Sequence, residues 1–343
     1  MKNNILENLL YYWSNTCNYE CKNEERTFIP GFKLNNIFDQ IYEIDSIETQ
    51  NILKIISQVK HNKVNKKSIS KWNQGWGQNY NDILKNKQIV PFIVPYYFGK
   101  YPLSRIMGKF IAHKNYQLPK ELEEIVIPKW DIPVESRWNS IEHSLVRLMM
   151  HNLVYLPFLK KILNKNIKEI IFYELGAGTN HNLYFLKKFI DYHLPQNKAK
   201  YIALDWSNST KKIIKNMGTS FSYEFIDYYK LETFPEIKEN SFIFSLASLE
   251  QINISSETIL SFIAKSNPQL VINVEPIFQT LSKNSPLDAQ SIEYMESRNY
   301  LPDFISSILK IKMNKFHSLK LDLYRSGIGS QFIDGYSVAS WSI

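Results

Sequence analysis

From residue 169 onward the chain alternates short, β-branched apolar runs with stretches whose apolar residues recur every three or four positions. The first pattern suits a buried strand and the second an amphipathic helix. Their alternation predicts βαβ units around a mostly parallel sheet. The strand runs are Glu169–Leu175, Lys200–Leu204, Tyr223–Ile226, Ser241–Leu246 and Leu270–Val274, with helices expected over Asn182–His193 and Ser209–Met217. Two more alternating runs, Ser318–Tyr324 and Phe332–Trp341, flank a loop containing Gly327 and Gly329. They read as an antiparallel pair that closes one edge, giving an α/β, Rossmann-like, seven-stranded sheet. Before the first strand, Ile141, Leu145, Leu148, Asn152, Leu156 and Leu159 keep helical spacing over Ile141–Leu163, and Pro157 is expected to end or kink that helix.

Upstream, no repeat appears, and Trp, Tyr and Pro concentrate between Trp72 and Trp138. The expected division is a mainly helical N-terminal substrate or cap domain over 1–139 and the sheet domain over 140–343. With 343 residues, 44% hydrophobic and 22% charged, the chain has ordinary globular composition, which excludes collagen-like and mainly disordered classes. It lacks an uncharged apolar run of about 18 residues, so no membrane-spanning helix is expected. Met1 to Glu7 lacks a secretory pattern, and Cys17 and Cys21 are the only cysteines, so a cytoplasmic protein without a disulfide framework is the default expectation. Lys and Arg number 41 against 33 Asp and Glu, a formal net charge of +8. The lysines are dispersed, and the densest group, Lys60 to Lys71, is interleaved with Asn and Ser as in a solvated loop. A nucleic-acid partner is therefore disfavoured, and RNA stays as an alternative.

The densest chemical signal is Tyr173-Glu174-Leu175-Gly176-Ala177-Gly178-Thr179-Asn180, at a strand-to-helix turn. Gly176 and Gly178 allow a sharp turn and close approach of backbone to a ligand, and Asn180 tolerates the left-handed region where a third glycine is common. A glycine turn alone is shared with dinucleotide-binding proteins. Glu174 discriminates, because a carboxylate there suits a cationic amino group and is an awkward neighbour for a pyrophosphate. Asp205, closing the next strand, can accept both hydroxyls of a ribose, or it caps the helix beside Ser207 and Ser209. Asp227, after the third strand, can accept from an adenine amino group, although Asp is common wherever a strand gives way to a loop.

These residues resemble those of the class I S-adenosylmethionine-dependent methyltransferases, over roughly residues 140–343. Glu174, Gly176 and Gly178 match that family's first motif, Asp205 its ribose-binding acid and Asp227 the residue beside adenine. Asn180 departs from the third glycine. Ser245 to Gln251 resembles the segment after the fourth strand that faces donor and substrate, and the terminal strand pair fits the same fold. The resemblance implies S-adenosylmethionine as cofactor and a layout like that of bacterial sugar and natural-product methyltransferases, with no metal signalled.

A hydroxyl or amide acceptor needs a base or polarising group, and ligands of such sheets bind at the carboxyl ends of the strands. Glu250 is the first candidate base, with His143 and His181 as further candidates, although a lone histidine is more often a packed or solvated residue. Gln251 is a candidate substrate contact. Glu275 precedes Pro276, so its extended backbone suits either a substrate clamp or a structural hydrogen bond. The stretch Lys71 to Tyr80, with Trp72, Gln74, Trp76, Gln78 and Asn79, reads as an aromatic and amide platform for a sugar, peptide or base, or as an anchor between domains. Tyr96, Tyr97, Tyr101, Trp130, Arg137 and Trp138 extend it, while Tyr294, Arg298 and Tyr300 occupy the region that would cap an acceptor. The expected activity is methyl transfer to oxygen or nitrogen of a polar small molecule, sugar or peptide. The alternatives are an RNA methyltransferase or a non-catalytic binding module, with a nicotinamide oxidoreductase disfavoured by Glu174. The oligomeric state is not expressed in the sequence.

Overall fold

A computed structural model describes residues 41–58, 97–98, 101–113, 142–314, 316–330 and 332–343. In chain order the first elements are β1 (Ile41–Glu43), α1 (Ser46–Gln58), β2 (Tyr97–Phe98), β3 (Tyr101–Ile106), β4 (Lys109–His113) and α2 (Glu142–Lys165). There follow β5 (Glu169–Leu175), α3 (His181–His193), β6 (Lys198–Asp205), α4 (Asn208–Ile214), β7 (Phe221–Phe225), β8 (Phe242–Leu246), α5 (Ser256–Lys265) and β9 (Leu270–Glu275). The chain continues with α6 (Pro286–Arg298), α7 (Phe304–Asn314), β10 (Lys320–Arg325), β11 (Ile328–Ser330) and β12 (Ser337–Ser342).

The central sheet has seven strands in the order β10-β12-β9-β8-β5-β6-β7. The five from β9 to β7 are parallel, and β12 runs antiparallel between β9 and β10. The antiparallel pair β10 and β12 closes the edge as the sequence predicts, with β12 inserted between β9 and β10. Because side chains alternate across a strand, each strand feeds two cores. On one face Phe172, Ala203, Phe244, Ile272 and Val338 pack under Leu153, Phe158 and Ile162 of α2 and Leu186 of α3. On the other face Tyr173, Leu204, Ile243, Val271 and Trp341 meet Leu260 and Ile263 of α5 and Phe304 and Ile308 of α7. Burying a large apolar side chain contributes about 1.5–3 kcal/mol, so these two layers fix the strand ends where the acids lie. Helix α2 continues through Pro157 to Lys165. The expected end there does not occur, and Pro157 leaves the carbonyl of Leu153 without its usual intrahelical donor.

The described part of the N-terminal region holds one helix and four strands, where the sequence predicts mainly helices. Strands β1, β4, β3 and β2 form a small antiparallel sheet, which β11 of the C-terminal half completes by pairing Ile328 with Ile106. Met107 (φ 51°) and Gly108 (φ 78°) make the turn between β3 and β4. Positive φ at both central positions is the hairpin geometry that matches strand twist. A third core of Ile52, Ile56, Phe110, Met295, Tyr300 and Phe332 joins α1, β4 and α6. Behind it Arg105, fully buried, bonds Gln290 Oε1 (2.8 Å) and Ser291 Oγ (3.4 Å) and lies 4.5 Å from the Phe110 ring centroid. Asp334 stands 4.0 Å from it, and Arg325 binds both Asp334 and, through two nitrogens, Asp288. Burial lowers the Arg105 pKa to about 10, against the opposing pull of Asp334 and Asp288. The expected boundary at 139/140 lies outside the described residues. Among the described residues no helix is long and apolar enough to cross a membrane.

Candidate active site

The chain departs from β5 to one side through β6 and returns on the other through β8, so the switch in strand order, the place where ligands of such sheets bind, falls at the carboxyl ends of β5 and β8. The turn after β5 is tied to both neighbours. Gly176 N–H donates to Leu204 O (2.8 Å), and Ser248 Oγ, following β8, donates to Leu175 O (2.7 Å). Gly176 has φ +72°, and a Cβ there would stand 2.7 Å from Ser248 Cβ, closer than packed carbons approach. Gly178 (φ 53°) and Asn180 (φ 62°) complete the turn in the left-handed region. The Asn180 side chain points to α4, donating to Thr210 O (3.2 Å), and makes no capping bond to α3.

Glu174 is 1% exposed and accepts from Asn182 Nδ2 (2.5 Å). Asn182 Oδ1 in turn meets His151 Nε2 of α2 (2.8 Å), so that ring nitrogen carries the proton. Tyr155 stacks on His151 at 5.1 Å and bonds the Asn182 carbonyl (2.6 Å), while the His181 ring lies 5.5 Å from that of His151. Asp205 is equally inaccessible: Oδ2 accepts from Gly178 N–H (2.9 Å) and Oδ1 from Ser207 N–H (2.8 Å). Burial pushes its pKa up to about 6, although these backbone donors work in the opposite direction. Ser207, instead of Asp205, caps α4 by accepting from Ser209 N–H. Asp227 is half-buried and turns Oδ1 onto Tyr229 N–H (3.0 Å), closing its own loop.

Two further acids lie at neighbouring strand ends, Glu275 as the last residue of β9 and Glu250 shortly after β8. Glu275 is wholly buried, and its oxygens accept from Ser248 N–H (3.1 and 3.2 Å) and Leu249 N–H (3.2 Å). Glu250 follows in a single 3-10 turn and accepts from Gln251 Nε2 (3.1 Å). Burial and the neighbouring Glu250 carboxyl raise the Glu275 pKa well above the ordinary carboxylate range. Gln251 Nε2 also reaches Tyr300 Oη (3.2 Å), which accepts from Arg298 Nε (3.0 Å). Tyr294 meets the Tyr300 ring edge-on at 5.8 Å and stacks on Phe332 at 4.8 Å.

Two groups of sequence-predicted residues are thus brought together: Glu174, Gly176, Gly178, Asn180 and Asp205 around one turn, and Glu250, Gln251, Glu275, Tyr294, Arg298 and Tyr300 beside it. Trp72, Trp76 and the rest of that loop, with Tyr96, Trp130, Arg137 and Trp138, lie outside the described residues, as do the side chains of Tyr97, Tyr101 and His143. Sequence reasoning does not single out Asn182, His151 or Tyr228. The signals available were an amide in the first turn after the glycines, a histidine on the apolar stripe of α2, and a tyrosine adjoining Asp227.

No protein-family model and no curated protein matches the chain. Among solved structures it is similar to the plantazolicin methyltransferase BpumL in complex with a pentazolic desmethylPZN analogue and SAH, with 14% identity, a TM-score of 0.40, and coverage of 56% of this chain and 84% of that one. It is also similar to precorrin-6y C5,15-methyltransferase from Geobacter metallireducens, with 11% identity, a TM-score of 0.33, and coverage of 55% and 86%. An O-methyltransferase family protein from Burkholderia thailandensis is similar at 10% identity and a TM-score of 0.35, with coverage of 59% and 60%.

Proposed function

We propose that the chain is an S-adenosylmethionine-dependent methyltransferase acting on oxygen or nitrogen of a polar small molecule, sugar or peptide. The observation that carries this reading is the placement of two buried carboxylates, Glu174 and Asp205, at the ends of adjacent strands on either side of a turn that only glycine can fill at position 176. A donor with a cationic amino group, a ribose and an adenine fits this set. Glu174, held by Asn182, meets the amino group. Asp205 keeps lone pairs for ribose hydroxyls beyond its two backbone donors. Asp227 stands one strand further along for the adenine. When bound, the donor supplies an electrophilic methyl group on a sulfonium. The protein contributes alignment of the acceptor and a charged surrounding. A nicotinamide dinucleotide fits less well, because its pyrophosphate would meet the Glu174 carboxylate.

The test is transfer of an isotopically labelled methyl group from the donor to a product in cell extract, read by mass spectrometry. The parent protein should yield a labelled product and Glu174→Ala should yield none. Extract that stays unlabelled with the parent protein counts against an enzyme and favours a non-catalytic module. Labelled RNA would favour the RNA reading motivated by the net charge of +8.

A further inference from the structure

His151 on α2 and Asn182 in the first turn of α3 are buried where the two helices meet, 2% and 8% exposed. Polar side chains in such a layer are costly unless their groups are paired. Here the bonds run in one direction. The His151 ring donates from Nε2 to Asn182 Oδ1 (2.8 Å), and Asn182 Nδ2 donates to Glu174 Oε1 (2.5 Å) near the end of β5. A side-chain amide has one accepting and one donating end, and only the donating end suits a carboxylate. Rotation about its last side-chain bond would exchange the two ends. The hydrogen on His151 Nε2 decides between them, because it must meet the oxygen.

The surroundings hold both residues in place. Tyr155, one turn after His151 on the same face of α2, donates to the Asn182 carbonyl (2.6 Å). Two residues of α2 therefore grip one residue of α3, the first by its side chain and the second by its backbone. The His151 ring stacks on Tyr155 at 5.1 Å and has Phe185 of α3 at 5.4 Å. Its chain neighbours Met150, Leu153 and Val154 are buried in the core that α2 forms with the sheet, so the ring cannot shift without opening that core. A contact that merely joined two helices would be complete at the bond between His151 and Asn182. This one continues to the acid that meets the amino group of the donor.

We infer that His151 is a positioning residue for the methyl donor: by fixing the Asn182 amide, it keeps the Glu174 carboxylate aimed at the donor's amino group. The inference rests on the methyl-transfer reading. His151 touches neither donor nor acceptor in this role and exchanges no proton with them. Without its N–H, Asn182 Oδ1 loses its donor from α2, and the amide turns towards another partner or water. Glu174 then loses the bond that orients it, and the donor's ammonium meets an acid in several arrangements instead of one. The adenosine part of the donor belongs to Asp205 and the glycine turn and does not feel the change. Preference for a ligand that carries the amino group over one that lacks it is thus set from α2, outside the motif that follows β5.

The test is calorimetry on the full chain with S-adenosylhomocysteine and with 5′-methylthioadenosine, which keeps the adenosine and lacks the amino-acid part; the weaker ligand is measured by displacement. His151→Gln carries an amide nitrogen to about where the ring Nε2 stands, and should bind both ligands within about threefold of the parent. His151→Met fills similar space without an N–H. It should bind S-adenosylhomocysteine about tenfold more weakly, in line with the loss of one hydrogen bond to a charged group, while 5′-methylthioadenosine stays within about threefold. If His151→Met does not fold by circular dichroism, His151→Asn, whose amide stops short of Asn182, takes its place with the same expectation. A Met or Asn variant that binds S-adenosylhomocysteine as the parent does, or that loses both ligands in equal proportion, overturns the inference alone. So does a Gln variant that falls with them, or a parent that binds the two ligands alike. A parent that does not bind S-adenosylhomocysteine removes the methyl-transfer reading on which it rests.

Discussion

Asp205 carries the most testable property of any single residue. It is buried, with a pKa raised from 3.8 to about 6, mainly by loss of water. A group whose folded value exceeds its unfolded one lends stability below the unfolded value, and that stability is lost as pH rises through the folded one. Here the window runs from 3.8 to about 6. At pH 7 the free protein holds this charge at a disadvantage of up to about 3 kcal/mol, since each unit corresponds to about 1.4 kcal/mol. Asp205→Asn should therefore melt above the parent at pH 7, and the difference should close below pH ~4. Circular dichroism melts across that range check the sign. A difference independent of pH would mean that the hydrogen bonds to Gly178 and Ser207 outweigh the charge. Donor affinity in the parent should move the other way, weakening as pH falls through about 6, because the protonated acid loses acceptor capacity for ribose hydroxyls.

Among the elements, those of the parallel sheet were legible because each strand is a short apolar run, most of them ending at or just before an acid or a glycine, and the helices between them repeat at helical spacing. Gly176, Gly178 and Asn180 were readable as a turn because all three adopt positive φ, where residue type is restricted. The small sheet was not legible. Its strands β1 and β11 have only three residues each, and β11 finds its partner more than two hundred residues away in sequence, pairing Gly329 with Arg105. No local pattern encodes such a pairing. The turn between β3 and β4 is Met107-Gly108, outside the usual Asn-Gly signal. Arg105 looks like an ordinary surface charge in sequence, yet it is fully buried and links β3 to α6 and Asp334. Arg105→Ala should destabilise the protein by about 3–5 kcal/mol, the size expected when one partner of a buried charged network is removed. Denaturant unfolding measures it. A loss below about 1 kcal/mol would place Arg105 among the surface ion pairs.

For the molecule as a whole, four buried carboxyl groups gather at the carboxyl ends of neighbouring strands: Glu174 and Asp205 at β5 and β6, Glu250 and Glu275 at β8 and β9. The net charge of +8 resides elsewhere, in dispersed lysines, so a negative site sits within a positive protein. That distribution favours a ligand with local positive charge and draws it from the bulk charge of the chain only at short range, since exposed charges are screened over about 8 Å at physiological salt. The central claim is that Glu174 and Asp205 hold one molecule of the donor at the glycine turn. Isothermal calorimetry with S-adenosylhomocysteine tests it most directly. The parent should bind one equivalent, and Glu174→Ala and Asp205→Ala, each still folded by circular dichroism, should show no measurable heat of binding. Two variants that bind as the parent does, or a parent that binds NADH in place of S-adenosylhomocysteine, would contradict it.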